Sequence, residues 1–160
     1  MTNHLKQKIN QTMKKLFIAV LLVAAIGTSA FANPTTVNYK ILNSFGTDFK
    51  GAENVSWKIN KDFVKASFTY DETQIDAFYN IDGEFIGTSK QFELNKLPKK
   101  GLETITKKYP YPPYKLIECI ELTYADGDKG YFISFEKNNE TLVLQVSTSG
   151  EVSVFQKTVK

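Results

Sequence analysis

Eight short segments in which apolar and polar residues alternate constrain the fold of this chain more than any other feature. They are rich in aromatic and β-branched residues, which favour strands, and short groups of Asp, Asn, Gly and Ser separate them. Because successive residues of a strand point to opposite faces, one face of each segment is predicted to be apolar. The segments are VSWKIN, FVKASFTY, TQIDAFYNI, EFIGTSKQF, YKLIECIELTY, GYFISFEK, ETLVLQVST and EVSVFQK.

Two further segments have helical spacing. From Thr35, apolar residues recur every three or four positions as far as Phe49, and Gly51 is predicted to end this first helix. A second helix is predicted to begin at Pro98, since proline suits a first helical turn, and to end before the prolines that start at Pro110.

The predicted elements therefore occur in the order helix, four strands, helix, four strands, which indicates an internal repeat. Phe63 to Ile86 aligns without a gap with Gly130 to Ser153, at an offset of 67 residues and with four identities in 24 positions. We predict an α+β fold of two tandem helix-plus-four-strand repeats, about 35–92 and 97–157. They are expected to form one antiparallel sheet with the helices packed on one face.

The stretch Asp82-Gly83-Glu84 could be an acidic metal site or a turn. In the aligned second half, the equivalent stretch is Ser149-Gly150-Glu151, so the glycine is common to both while the aspartate is not. Glycine accepts a positive φ at little cost, and either Asp or Ser serves a turn. We therefore interpret both stretches as hairpin turns.

The N-terminus has the pattern of a secretory signal. Lys14 and Lys15 precede the apolar run Leu16 to Ile26, and an Ala-Phe-Ala triplet ends at Ala32. We predict cleavage after Ala32, a single domain over 33–160 and a periplasmic or secreted product without stable membrane insertion. Translation could begin at Met1 or at Met13.

Removal of the signal changes the charge balance and the available chemistry. The four lysines before Asn33 leave with it, so 16 lysines face 17 acidic residues, and nucleic-acid binding by bulk charge is not expected. The only histidine, His4, leaves as well, and the sequence contains no arginine. Histidine-based catalysis and histidine metal sites are thereby excluded from the mature chain, and neither an enzyme nor a cofactor is predicted.

The single cysteine, Cys119, cannot form a disulfide within the chain. It lies in the apolar run LIECIEL and is predicted to be buried; an intermolecular bridge is the alternative.

Two stretches carry a resemblance to a known family: VNYKILNSFGTDFKGAENVSW, and LPKKGLETITKKYP with the strands that follow it. They resemble the PepSY-like domain family of small exported bacterial proteins, which is similar in fold to the β-lactamase inhibitory protein. The resemblance covers nearly the whole mature chain. It implies tandem helix-plus-four-strand units in one sheet, and it implies no catalytic residues. The inhibitor's contact loops have no match here, so β-lactamase inhibition is not inferred.

Three other motifs have both a chemical and a structural interpretation. Ser134 and Lys137 have the Ser-x-x-Lys spacing of acyl-enzymes, but on a strand they point to opposite faces. Asp126-Gly127-Asp128 begins like a calcium loop but lacks the later ligands, so a hairpin turn is favoured and weak calcium binding stays open. The stretch YPYPPY, from Tyr109 to Tyr114, could be a polyproline ligand or a rigid connector; the connector is favoured.

The sheet face away from the helices carries several large apolar residues where polar ones are expected, which indicates a recognition surface. The alternative is that twist, loops, a dimer partner or curling of the sheet covers them. We predict a non-enzymatic periplasmic binding or inhibitor-like module that recognises an envelope protein or peptide. A small-ligand or calcium-responsive sensing domain around Asp126 and Asp128 is the second hypothesis. The predicted binding residues are Phe63, Lys65, Phe78, Ile86, Phe132, Glu136, Val143 and Phe155.

Overall fold

The structure is a computed structural model that describes residues 37–159. The predicted signal segment, its cleavage site and the choice of start codon lie outside the described residues. No helix within 37–159 is long and apolar enough to cross a membrane.

Two helices and eight strands account for most of this region. A short 3₁₀ turn, Leu94–Lys96, precedes the second helix. The helices are α1 (Tyr39–Asp48) and α2 (Lys99–Lys108). The strands are β1 (Glu53–Ile59), β2 (Phe63–Tyr70), β3 (Thr73–Asn80), β4 (Phe85–Gln91), β5 (Lys115–Tyr124), β6 (Lys129–Lys137), β7 (Glu140–Ser147) and β8 (Val152–Val159).

All eight strands belong to one antiparallel sheet in the order β1 to β8. The prediction of two tandem helix-plus-four-strand repeats is wrong: residues 37–159 are mostly one sheet, in which β4 pairs with β5 from Gly87↔Tyr124 to Gln91↔Ile120 and the bulges of the two halves fall at non-equivalent positions. Only two ten-residue helices accompany it. Pairing β4 with β5 removes two unsatisfied strand edges, an outcome that alternation within each segment does not reveal.

The offset of 67 residues that aligns the two halves of the sequence does not relate their strand registers. In β4 the extra, bulged residue is Ile86, and in β8 it is Phe155. An offset of 67 would place the second bulge at Ser153. A bulge changes which residues share a face, so the two halves present different side chains beyond it.

Both helices pack on the same broad apolar face of the sheet. Under α1, the Phe45 ring lies 5.1 Å from Trp57 and 4.9 Å from Phe68, both edge-on. Under α2, Ile105 is 1% exposed and belongs to a cluster with Ile133 and Leu144. A sheet accompanied by helices is thus consistent with the sequence, whereas the predicted repeat organisation is not.

The two glycine stretches are hairpin turns, as predicted. Gly83 and Gly150 have φ of 87° and 82°, the left-handed region that glycine favours. Each glycine also lies against a helix. Lys40 donates from Nζ to the Asp82 carbonyl oxygen at 3.0 Å, while a Cβ on Gly150 would lie 2.9 Å from the Gly101 nitrogen.

The contact between α2 and the sheet leaves no space for a side chain at Gly101. A Cβ there would lie 2.7 Å from Val146 Cγ1, whereas a Cβ at Gly46 in α1 would meet nothing within 4 Å.

We expect Gly101→Ala to lower the free energy of unfolding by about 1–2 kcal/mol, since overpacking outweighs the gain in helix propensity. Gly46→Ala, its matched control, should raise it by about 0.5–1 kcal/mol. Urea unfolding measures both, and stabilisation by Gly101→Ala would contradict the packing.

Tyr79 is fully buried under α1, and its hydroxyl makes no hydrogen bond to the described residues. The Ser44 hydroxyl donates instead to Asp48 Oδ2 at 3.1 Å. Burial, with the negative charge of Asp48, raises the pKa of Tyr79 above its usual value of 10.0.

We expect Tyr79→Phe to raise the free energy of unfolding by about 1 kcal/mol at neutral pH, because it removes an unsatisfied buried polar group. Since the folded state keeps the phenol neutral, the wild type should lose stability as the pH rises above 10.0, where the unfolded chain releases this proton. Urea unfolding at neutral and alkaline pH measures both effects. A destabilised variant at neutral pH would show that the hydroxyl has a partner.

Candidate functional site

We call the sheet surface opposite the two helices the helix-free face. Cross-strand pairs define it: Lys65 neighbours Phe78, Phe78 neighbours Gly87, and Gly87 neighbours Tyr124. In the second half, Phe132 carries its ring on this face, 5.4 Å from the ring of Phe155. None of these side chains belongs to the clusters under the helices.

The largest apolar side chains of this face are buried rather than exposed. Phe63, Phe78, Phe132 and Val143 are 4%, 0%, 2% and 3% exposed, so the expectation that these four form an accessible apolar patch is wrong. Alternation fixes the face that a side chain occupies but not what lies over it. Here the Phe63 and Phe78 rings pack 6.1 Å apart. Whether these residues contact a partner stays a prediction.

The other four predicted binding residues, Lys65, Ile86, Glu136 and Phe155, are half-buried. Ile86 and Phe155 are the two bulged residues, and bulges commonly re-aim side chains at functional sites. Lys65 has a side chain that is 21% exposed.

A cluster of polar side chains lies between the aromatic parts of the helix-free face. Lys65 Nζ donates to Asp76 Oδ2 at 2.9 Å, and Ser67 Oγ donates to Asp76 Oδ1 at 2.5 Å. The Asp76 carboxylate therefore has a cation and a hydroxyl as partners. Asp76 and Ser89 face each other across β3 and β4.

Beside this cluster, a cavity of about 210 Å³ opens among β3, β4 and β5. Ser89, Gln91 and Glu118 contribute polar groups to its wall, and Ile120 contributes an apolar one. The Gln91 amide donates from Nε2 to Glu118 Oε1 at 3.2 Å. Ser89 is only 7% exposed, and its hydroxyl forms no hydrogen bond with any part of 37–159.

A wider groove of about 780 Å³ lies on the far side of the Gln91–Glu118 hydrogen bond. It exists because β4 ends at Gln91, so the beginning of β5 has a strand partner only in β6 among the described strands. Leu116 and Ile117 border the groove and are 41% and 52% exposed. The cavity and the groove thus share the Gln91 and Glu118 side chains.

The two acidic residues of β5 differ in their partners. Glu121 Oε1 lies 3.1 Å from Lys129 Nζ and 3.7 Å from Lys90 Nζ. Glu118 has no lysine within 4.0 Å over the range 37–159, although it is half-buried. Its negative charge is therefore less compensated than that of Glu121 or Asp76.

The Asp126-Gly127-Asp128 stretch has the geometry of a tight hairpin turn. The Tyr124 backbone N–H donates to the Asp128 carbonyl oxygen at 2.8 Å, and the Asp128 backbone N–H donates to Asp126 Oδ1 at 3.2 Å. Within 37–159, no three acidic or cysteine side chains gather in a way that could hold a metal ion. Weak calcium binding here stays an untested prediction.

Ser134 and Lys137 point to opposite faces, as predicted from their spacing on a strand. Ser134 is 7% exposed and pairs with Val143 on the helix-free face. Lys137 Nζ lies 4.8 Å from the centre of the Tyr114 ring, which packs with the cluster under α2. The two groups cannot act on one another as in acyl-enzymes.

Sequence reasoning missed Ser89, Gln91 and Glu118 as members of one site. Alternation within EFIGTSKQF does place Ser89 and Gln91 on the same face. The position of Glu118 could not be derived, because the bulge at Ile117 shifts the register of β5 against β6. Pairing of β4 with β5 then brings the three side chains together.

No known protein-family profile matches this chain. A pesticidal crystal protein, Cry11Ba, from Bacillus thuringiensis subsp. jegathesan is 28% identical over 72 residues, which is 42% of this chain. The match spans only 10% of the length of that curated protein.

Solved structures share the fold at low sequence identity. A BLIP-like protein from Bacteroides fragilis aligns with a TM-score of 0.66 and 13% identity, over 82% of this chain and 91% of that chain. A DUF2874 family protein from Bacteroides ovatus gives 0.63 and 14%, over 74% and 88%. A Bacteroides eggerthii protein that is predicted to be periplasmic gives 0.65 and 11%, over 77% and 88%. At these identities the comparison shows a BLIP-like fold and nothing further.

Cys119 lies on the helix-covered face and is 6% exposed, which confirms the prediction that it is buried. Burial, and to a smaller extent the charge of Glu118, raises the pKa of Cys119 to about 11.

We expect the native thiol to react with a disulfide reagent at least about 100-fold more slowly than in the urea-unfolded chain, because little thiolate forms. Absorbance at neutral pH follows the reaction. Equal rates in the two states would show that the thiol is accessible.

Proposed function

We propose that this chain is a non-enzymatic binding module of the cell envelope that recognises a protein or peptide with its helix-free face. The observation that carries the proposal is the division of the sheet: the helices cover one face, while the other carries half-buried charged and aromatic side chains around a polar cavity. Clustered aromatic and polar groups of this kind are typical of recognition surfaces.

The chemistry of the site fits binding better than catalysis. The mature sequence has no histidine, and the thiol of Cys119 is protonated at neutral pH because its pKa is raised to about 11. Among the described residues, no basic side chain forms a hydrogen bond with the Ser89 hydroxyl. An activated nucleophile requires such a partner.

The solved neighbours agree with a BLIP-like module, one of them from a protein predicted to be periplasmic. An envelope location further rests on the N-terminal secretion pattern of the sequence. Membership of the PepSY-like family belongs to this proposal as well and rests on the two sequence stretches that resemble it.

Site-specific photo-crosslinking in intact envelopes tests the proposed surface. A photoreactive amino acid is placed at Thr69 or Ser153, at opposite sides of the helix-free face, and at Lys107 on the exposed side of α2 as control. We expect a discrete crosslinked partner from the first two positions and none from Lys107. The partner is then purified, and its affinity for the chain is measured in solution.

Substitution at the same face should reduce that affinity. Ser153→Arg introduces a large charged group on the helix-free face and should weaken binding about tenfold or more, whereas Lys107→Ala should leave it unchanged. Crosslinking from Lys107 alone, or equal affinity for Ser153→Arg and wild type, would place recognition elsewhere on the molecule.

A further inference from the structure

The cavity on the helix-free face has free hydrogen-bonding capacity that is dominated by acceptors. The amide nitrogen of Gln74 donates to the Phe68 carbonyl oxygen at 3.0 Å, and that of Gln91 donates to Glu118 at 3.2 Å. Each amide keeps one N–H and its oxygen, while Glu118 Oε2 adds an acceptor without a donor. A ligand that supplies donors therefore finds more partners in the cavity than one that supplies acceptors.

The Glu118 carboxylate makes that ligand a cation. It is half-buried in the cavity wall, and the described chain places no lysine within 4.0 Å of it. The other carboxylate of the wall, Asp76, is already paired with Lys65 at 2.9 Å. Lys90 also lines the cavity, but its ammonium lies 3.7 Å from Glu121 Oε1, on the helix-covered face of the sheet. Glu118 is therefore the carboxylate of the wall that has no lysine partner, and a partly buried charge is favourable only with a counter-charge or with water.

Ser89 provides an independent indication that this wall receives a ligand. Its side chain is only 7% exposed and lines the cavity, yet its hydroxyl has no hydrogen-bond partner within 37–159. Tyr79 Oη is the only fully enclosed polar side-chain atom of 37–159 without a partner, so the Ser89 oxygen opens to the cavity and is placed to bond a group that enters it. A serine oxygen accepts from a cationic donor as readily as from a neutral one.

We infer that this cavity receives a cationic side chain, lysine or arginine, of the bound partner. The cation would pair with Glu118 and donate to Ser89 and to the amide oxygen of Gln91, while Ile120 contacts the aliphatic part of the side chain. The volume of about 210 Å³ accommodates one long side chain. The inference rests on the proposed function, because it assumes that the partner approaches the helix-free face.

The test uses small probes and needs no identified partner. N-acetyl-lysine N-methylamide and N-acetyl-arginine N-methylamide carry the two cations, and N-acetyl-norleucine N-methylamide is a neutral control of similar length. Each is titrated into the full mature chain at constant ionic strength, and two-dimensional amide NMR spectra are recorded. We expect saturable shifts at Ser89 and Gln91 with a cationic probe, at a Kd on the order of millimolar for ligands of this size.

Two substitutions assign the shifts to the cavity. Glu118→Gln keeps the shape and removes the charge, and it should weaken probe binding about tenfold. Glu103→Gln is the matched control: it removes the same charge from an exposed side chain on α2 that pairs only with Lys99 in the described structure. It should leave the Kd unchanged. Ser89→Ala should weaken binding severalfold without loss of fold, which the dispersion of the same spectra verifies.

The outcomes separate this inference from the proposed function. If the norleucine probe matches the cationic probes, or if none of the three gives saturable shifts, the cavity is not a cation site. If a cationic probe binds through Glu118 but no partner crosslinks at Thr69 or Ser153, the cavity is a cation site, whereas the proposed function and the assignment of the cation to a partner's side chain both fail. The difference between the lysine and arginine probes shows which cation the cavity prefers.

Discussion

The pairing of β4 with β5 is the interaction on which the rest of the structure depends. It joins the four strands that follow α1 to the four that follow α2, and it requires close backbone contact: a Cβ at Gly87 would lie 2.5 Å from the Thr123 carbonyl oxygen. Glycine at this position permits that approach. The same pairing sets Ser89 beside Leu122 and Gln91 beside Ile120, and so creates the cavity.

The two faces of the sheet follow from this continuity. One face is closed by two helices that rest on aromatic and aliphatic clusters, and Gly101 lets α2 contact the β7–β8 hairpin directly. The other face is not simply polar, since its phenylalanines are buried and its charged groups are gathered at the centre. Burial of the rings stabilises the sheet, while the half-buried polar groups between them remain available for recognition.

The chemistry of this face fits the proposed binding function. It offers carboxylates, amides and a hydroxyl, but no imidazole and no accessible thiol. Asp76 already has its counter-ion in Lys65, whereas Glu118 has only a neutral amide. The difference between these two carboxylates gives the cavity its expected preference for a cation.

The sequence by itself determined the secondary-structure elements. Alternation located the eight strands, helical spacing located the two helices, and the glycines at 83 and 150 marked two hairpins. All three signals are local properties of neighbouring residues. The sequence also limited the chemistry, since residues 33–160 contain neither histidine nor arginine. Only the tertiary structure decided that the two halves are not equivalent repeats, that Phe78 and Phe132 are buried, and that Ser89, Gln91 and Glu118 meet. Those outcomes depend on strand pairing and on bulges such as that at Ile117, which are set by contacts between distant segments and leave no periodic signal in the chain.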